Sequence, residues 1–249
     1  MGTDIRAHAV RSPSSAKTWL LCPGSIHMQA GIPDGSSPQA DLGTAAHTLA
    51  EYCLENGKDP NDYIGCNLGH DTEHGPFLMT AEWTHHISKY VKYVRDKSQG
   101  MPLRLEQRVP ISPWTGEPGA EGTSDAIAGP DDDGTLHVID LKFGLGRVRA
   151  QTNYQLRLYA LGSYESLGRP CDVARVTMHI VQPRIDWLDT ETMEIADLLT
   201  WGINARKRAM RTYDDDAPLR PGDDQCRWCK AKFSCPESVW TRGINLEEW

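Results

Sequence analysis

Hydrophobic and polar positions alternate most clearly from residue 135 to 141. This Thr-Leu-His-Val-Ile-Asp-Leu run is rich in apolar and β-branched types and predicts a strand. Similar patterns predict strands at 103–109 and 173–182, with 185–190 continuing the sheet as a hairpin around Pro183 and Arg184. A further strand, carrying Gly122-Thr123-Ser124-Asp125, runs into the turn Gly129-Pro130-Asp131-Asp132-Asp133-Gly134. Between the strands the period lengthens. Met79, Trp83, Ile87, Tyr90, Val91 and Val94 recur at three- and four-residue spacing and predict a core-packing helix over 77–98, in which His85 and His86 have no catalytic role. Helices are also predicted from Ser12 to Leu21, over 42–54 with Thr44 as N-cap, over 150–166, and over 191–213. Residues 1–12 read as polar and loose. Residues 31–39, 56–76 and 111–121 read as loops, the second covering the site with solvent-exposed His70 and His74, and 143–148 reads as a tight glycine-containing turn.

On a strand, residues i and i+2 share a face, so Asp140 and Lys142 are neighbours, and the hairpin brings Asp125 beside them. Two carboxylates and a lysine on adjacent strands suit a metal-assisted hydrolase. The carboxylates hold a hard cation, the cation polarises a phosphoryl oxygen and acidifies a bound water, and the lysine steadies developing negative charge. Gln155 and Tyr159, at i and i+4, share a helix face, as do His47 and Glu51. Glu51 is either a partner that orients His47 or a salt-bridge residue, and Glu106 is either a further ligand or an exposed strand residue.

The chain of 249 residues has room for one sizeable α/β domain with additions. No apolar run approaches a membrane span, and an N-terminus carrying Asp4, Arg6 and His8 is no secretory signal, so a cytoplasmic location without membrane contact is expected. A net charge of −8 argues against a general nucleic-acid coat protein. Basic residues nonetheless cluster at Arg147, Arg149 and Arg157, and again from Arg206 to Arg211, either as a solvated helix face or as a phosphate track. The seven cysteines are an odd number, which argues against a disulfide framework. Cys226, Cys229 and Cys235 form C-x2-C-x5-C-P, and Cys22 is the candidate fourth sulphur. Four thiolates complete either a tetrahedral zinc site or a 4Fe–4S cluster, and zinc more often uses two short Cys-x2-Cys knuckles. Cys53, Cys66 and Cys171 read as plain thiols.

Asp125 ahead of Asp140-Leu141-Lys142 resembles the D-x(n)-(D/E)-x-K signature of the PD-(D/E)XK nuclease superfamily, and Gln155 with Tyr159 resembles the Q-x-x-x-Y helix of its RecB-like branch. Gly43-Thr44-Ala45-Ala46-His47 is similar to the branch's metal-binding histidine motif. Cys22 with the C-terminal cysteines is similar to the iron–sulphur staple of AddB-type subunits and CRISPR-associated exonucleases. The resemblance spans Cys22 to Cys235. It implies a restriction-endonuclease-like domain over 1–249, with a mixed central sheet flanked by helices: an N-terminal segment 1–40, a nuclease core 41–214 and a cluster-binding tail 215–249. It implies a Mg2+- or Mn2+-dependent deoxyribonuclease, of exonuclease type, resembling stand-alone phage-encoded members. His47, Asp125, Asp140 and the Leu141 carbonyl would be metal ligands, Lys142 would act on the water or the developing charge, and Gln155 and Tyr159 would orient the DNA strand. Cys22, Cys226, Cys229 and Cys235 would hold a 4Fe–4S cluster. DNA is the implied partner, with a helicase or recombination protein as a separate one. The alternative is a non-catalytic DNA-binding module that keeps the fold.

Overall fold

A computed structural model describes residues 9–238. The expectation of a loose N-terminus falls partly on residues 1–8, outside the described residues, as does the end of the tail beyond 238. The remainder of that expectation is corrected. Glu117 accepts hydrogen bonds from the backbone N–H groups of Val10 and Arg11, and buried Arg11 donates from Nε to Thr212 Oγ1 at 2.6 Å, so this stretch is tied down.

A five-stranded mixed sheet stands at the centre. Its strands are β3 (Leu103–Pro110), β4 (Glu121–Ala128), β5 (Thr135–Leu141), β6 (Arg175–Gln182) and β7 (Trp187–Glu194), in that spatial order. Only β5 and β6 pair in parallel, and helix α6 (Tyr154–Ser166) connects them. A parallel pair needs such a crossover. All seven residues of β5 are buried because both faces of this central strand are covered. On one face, Leu136 and Val138 pack with α1 (Ala16–Leu21), α6 and α7 (Ile195–Met210). On the other, Ile139 and Leu141 pack with α3 (Pro38–Asn56) and α4 (Ala81–Lys97).

Several boundaries move. Helix α3 begins at Pro38, with Ser37 as the cap that accepts a bond from the Ala40 N–H. Thr44 is therefore interior, and its hydroxyl donates to the Ala40 carbonyl. Serine followed by proline is a helix-start signal, and it lies in the stretch read as loop. Helix α4 starts after its cap Thr80, and α6 after Asn153, whose side chain accepts from Leu156 N–H. Strand β7 runs on to Glu194 and α7 starts one residue later. Residues 56–76 are not all irregular: Asn67–Leu68 (β1) pairs with Phe77–Leu78 (β2). His74, exposed as expected, bonds from Nδ1 to buried Asp41 of α3 at 2.7 Å and pins this ribbon. A short helix α2 (Ser25–Gln29) follows α1, α5 (Ser112–Thr115) punctuates the link to β4, and α8 (Asp223–Arg227) begins the cysteine-rich tail against α1.

Glycine lets α6 sit close to the sheet. A Cβ at Gly162 would lie 2.8 Å from Val109 Cγ2, which would have to shift, and 3.0 Å from the Pro110 carbonyl, a tight contact. This close approach sets how far Gln155 and Tyr159, earlier on the same helix, reach over β4 and β5.

Candidate metal and active site

The site forms where the sheet stops being regular. In register, Asp125 of β4 would face Asp140 of β5, but the pairing of these strands ends at Ala126 and Ile139. The Leu141 N–H donates instead to Asp125 Oδ2 at 2.7 Å. On the opposite side, the β3–β4 ladder skips Glu106, whose φ is +41°. That left-handed turn of the backbone, uncommon for a non-glycine residue, switches the faces of β3. Leu103 and Leu105 pack with the α3–α4 core, whereas Val109 packs with the α6 core. Asp125 therefore sits at a double break in the ladder, and Glu106 is turned toward it.

Helix α3 adds His47. Its Nδ1 is 3.4 Å from Asp125 Oδ1 and 3.9 Å from Glu106 Oε1. One donor atom from each of these three residues lies within 4.8 Å of the others, which is close enough to share an ion. Asp140, 2 % exposed, lies beside the trio with Lys142. Lys142 Nζ donates to Asp140 Oδ1 at 3.1 Å and to Gln155 Oε1 at 3.2 Å, and Gln155 Nε2 donates to Tyr159 Oη at 3.0 Å. Lys142 Nζ also lies 2.8 Å from Asp140 Oδ2, but off the hydrogen-bonding direction, so this buried oxygen keeps an unsatisfied lone pair.

The charges shift one another. Burial opposes the His47 imidazolium, yet Asp125 and Glu106 together push its pKa up to about 10. Burial opposes ionisation of Asp125 too, but His47, Lys142 and the Leu141 N–H hold it below the usual carboxylate range. Burial pushes Asp140 up to about 6 against the pull of Lys142, with the Asp125 charge adding to the rise. Lys142 is raised, since Asp140 and Asp125 outweigh its burial. Burial and the Asp140 charge raise Tyr159. Perturbed pKa values of this kind cluster at functional sites and also arise in structural ion-pair networks.

The sequence-predicted residues His47, Asp125, Asp140, Lys142, Gln155 and Tyr159 are thus brought together. Leu141 enters through its N–H on Asp125. Glu106, left open by the sequence, completes the three-donor group. Glu51 lines the groove beside Glu106, its carboxyl raised by burial and by the Glu106 charge, and no hydrogen bond joins it to His47 among the described residues. A feature outside the predicted set is a buried relay: His137 Nε2 to Asp131 Oδ2 at 3.3 Å, His179 Nε2 to His137 Nδ1 at 3.1 Å, and Tyr93 Oη to His179 Nδ1 at 2.7 Å. No signal in the sequence marks it, because the strands that carry His137 and His179 become neighbours only through the crossover.

Cys22, Cys226, Cys229 and Cys235 line one small pocket, with Cys22 brought from α1 to the tail. The Arg220 N–H donates to Cys22 Sγ at 3.2 Å and the Gly222 N–H to Cys226 Sγ at 3.5 Å. Burial raises the thiol pKa of Cys22 and of Cys229, and neighbouring cysteines add to it. Cys53 is buried and pushed up to about 11, while Cys66 and Cys171 are exposed. No helix among the described residues is long and apolar enough to cross a membrane.

One solved structure, titled "Crystal structure of SSO0001", aligns over 88 % of this chain and 95 % of that chain at 10 % identity and a TM-score of 0.31, a likeness too slight to carry an argument. The profile of one protein family matches residues 8–243, almost the whole chain, and the protein therefore belongs to the DUF2800 family, described as proteins of unknown function.

Proposed function

We propose that this protein is a divalent-metal-dependent deoxyribonuclease that attacks DNA from free ends, of the PD-(D/E)XK, RecB-like type. The observation that carries the reading is the convergence of His47, Glu106 and Asp125 within 4.8 Å, with the Asp140–Lys142 pair on the neighbouring strand. The donor set fits Mg2+ or Mn2+. It is mostly hard carboxylate oxygen, and one buried oxygen, Asp140 Oδ2, lacks a hydrogen-bond partner. His47, Asp125 and Asp140 would hold the ion, with Glu106 as a further ligand and the Leu141 carbonyl as an available one. When bound, such an ion polarises the phosphoryl group and acidifies a water.

The remaining work falls to the chain's own groups. Lys142, kept cationic by two carboxylates, faces the negative charge that grows on the phosphorus oxygens. Gln155 holds Lys142 and Tyr159 in one hydrogen-bonded line, which fixes the lysine rotamer before substrate arrives. Tyr159, kept neutral by burial, acts as a hydrogen-bonding group toward the DNA strand and not as a base. We read the four-cysteine pocket as a 4Fe–4S site, because the tail holds one short Cys-x2-Cys knuckle where zinc more often uses two. Backbone N–H groups on Cys22 and Cys226 are the outer-shell bonds that stabilise cluster thiolates.

The test is cleavage of end-labelled single- and double-stranded DNA with Mg2+ or Mn2+, using protein purified without oxygen. Metal-dependent cleavage should vanish in Asp140→Ala and Lys142→Ala. An intact, iron-loaded protein that cuts neither substrate would point instead to a DNA-binding module retaining the fold.

A further inference from the structure

Behind α6 lies a second groove, of about 520 Å³, lined by Thr152, Tyr154, Arg157, Trp201, Lys207, Arg208 and Arg211 among others. Gln155 and Tyr159 face the metal site from one side of α6. Tyr154, one residue before Gln155, and Arg157, two residues from both Gln155 and Tyr159, lie on the other side, because positions one and two residues apart do not share a helix face. The groove is therefore separate from the site already described.

Its chemistry is out of keeping with a chain of net charge −8. Among the described residues no carboxylate lines it, and Lys207, Arg208 and Arg211 have no acidic partner there. Arg157 is neutralised by a two-bond pair with Glu191, at 3.1 and 2.6 Å, and this pair braces the groove wall. The other wall is aromatic. The Tyr154 and Trp201 rings are 6.0 Å apart and tilted by 36°, and the Arg157 guanidinium lies 5.6 Å from the Trp201 ring. Cations gathered at the end of α7 beside aromatic faces match what a single strand of nucleic acid presents, phosphates at a regular spacing and bases with π-faces.

We infer that this groove is a binding site for single-stranded nucleic acid, with Lys207, Arg208 and Arg211 on successive phosphates and Trp201 and Tyr154 against the bases. Choosing a polynucleotide over a free nucleotide rests on the nuclease reading. Lys207 and Arg208 lie in the last turn of α7, Arg211 follows its end, and the aromatic wall is shared with α6, so an occupied groove holds a strand against the helix that carries Gln155 and Tyr159.

The test is fluorescence anisotropy of a labelled single-stranded oligonucleotide in EDTA, so that no cleavage intervenes, across a salt series. The variant Lys207→Gln/Arg208→Gln/Arg211→Gln alters exposed side chains only. Loss of three phosphate contacts should lower the slope of log K against log salt by about 2 and weaken binding about fiftyfold at 0.15 M salt. The control Lys58→Gln/Lys92→Gln/Lys97→Gln makes the same charge change on the opposite side of the sheet and should bind like wild type. Equal losses in both triple variants would overturn the proposal in favour of net charge, as would unchanged binding in the groove variant. Weak displacement by deoxynucleoside monophosphate would support an extended strand, whereas displacement as strong as by the oligonucleotide would assign the groove to a free nucleotide. The two readings separate cleanly. Groove-dependent binding without metal-dependent cleavage leaves this site and sinks the nuclease, and cleavage with unaltered binding in the groove variant does the reverse.

Discussion

Metal binding at His47 should release a proton. In the metal-free protein Asp125 and Glu106 hold the His47 pKa at about 10, so Nδ1 is protonated across the neutral range. A cation needs that same lone pair. The folded-state pKa is raised above the ordinary 6.5, so the proton stays until the pH nears 10, and below that point each pH unit costs the metal about 1.4 kcal/mol, or tenfold in Kd. Between about pH 8.5 and 6.5 the Kd for Mn2+ should therefore rise roughly a hundredfold. Below about 6 the dependence should steepen, because Asp140 then takes up a proton as well. Electron paramagnetic resonance of free Mn2+ gives the Kd at each pH. Calorimetry in two buffers of different ionisation enthalpy counts the protons, with about one per metal expected. His47→Gln should bind more weakly at high pH and lose most of the slope. Glu106→Gln removes one of the charges that raise His47, and it should shift the whole curve toward weaker binding and lower pH. A Kd that stays flat across the neutral range, with no proton released, would refute the assignment of His47 Nδ1 as a ligand.

Three other outcomes follow from the same geometry. His137 and His179 are buried, and burial depresses both, His179 to about 3 with the neighbouring His137 and Lys97 charges adding to the fall. The stability of the pair is present above the unfolded pKa of 6.5 and is lost as pH falls toward 3, so His179 alone should cost about 1.4 kcal/mol at about pH 5.5, a drop of roughly 3–6 °C in Tm. His179→Asn should flatten this pH dependence, and an equally steep profile in the variant would count against it. Gly162→Ala places a methyl against Val109 and the Pro110 carbonyl. It should cost about 1–3 kcal/mol in urea unfolding and lower cleavage by shifting Gln155 and Tyr159, and a neutral effect on both would show that α6 can back away freely. Cys22→Ser should yield protein without the visible absorption and iron content of the wild type, and unchanged colour and iron would remove Cys22 from the cluster.

The strands, the long helices and the pairs Asp140–Lys142, Gln155–Tyr159 and His47–Glu51 were legible in the sequence by itself, since each depends on a period or a short spacing that the backbone converts directly into a shared face. That His47, Asp125, Asp140, Lys142, Gln155 and Tyr159 belong to one site was implied only by the family resemblance. The helix starts at Pro38 and Tyr154 were misplaced in opposite directions: capping by Ser37 begins α3 ahead of its apolar period, and capping by Asn153 begins α6 four residues after the expected start at 150. Glu106 could not be decided from sequence. Strict alternation would send it to one side, and its backbone at φ +41° turns it to Asp125 only because the β3–β4 ladder breaks there. The sequence also determined the neighbours Asp140 and Lys142. Only the tertiary structure decided that β4 and β5 part at Asp125, opening space between carboxylates that would otherwise face each other in register, and only it brought α7 beside α6 to make a basic groove from residues some fifty positions apart. Local pattern reports which face a side chain takes. Which faces meet is set by chain crossings whose contacts lie far apart in sequence.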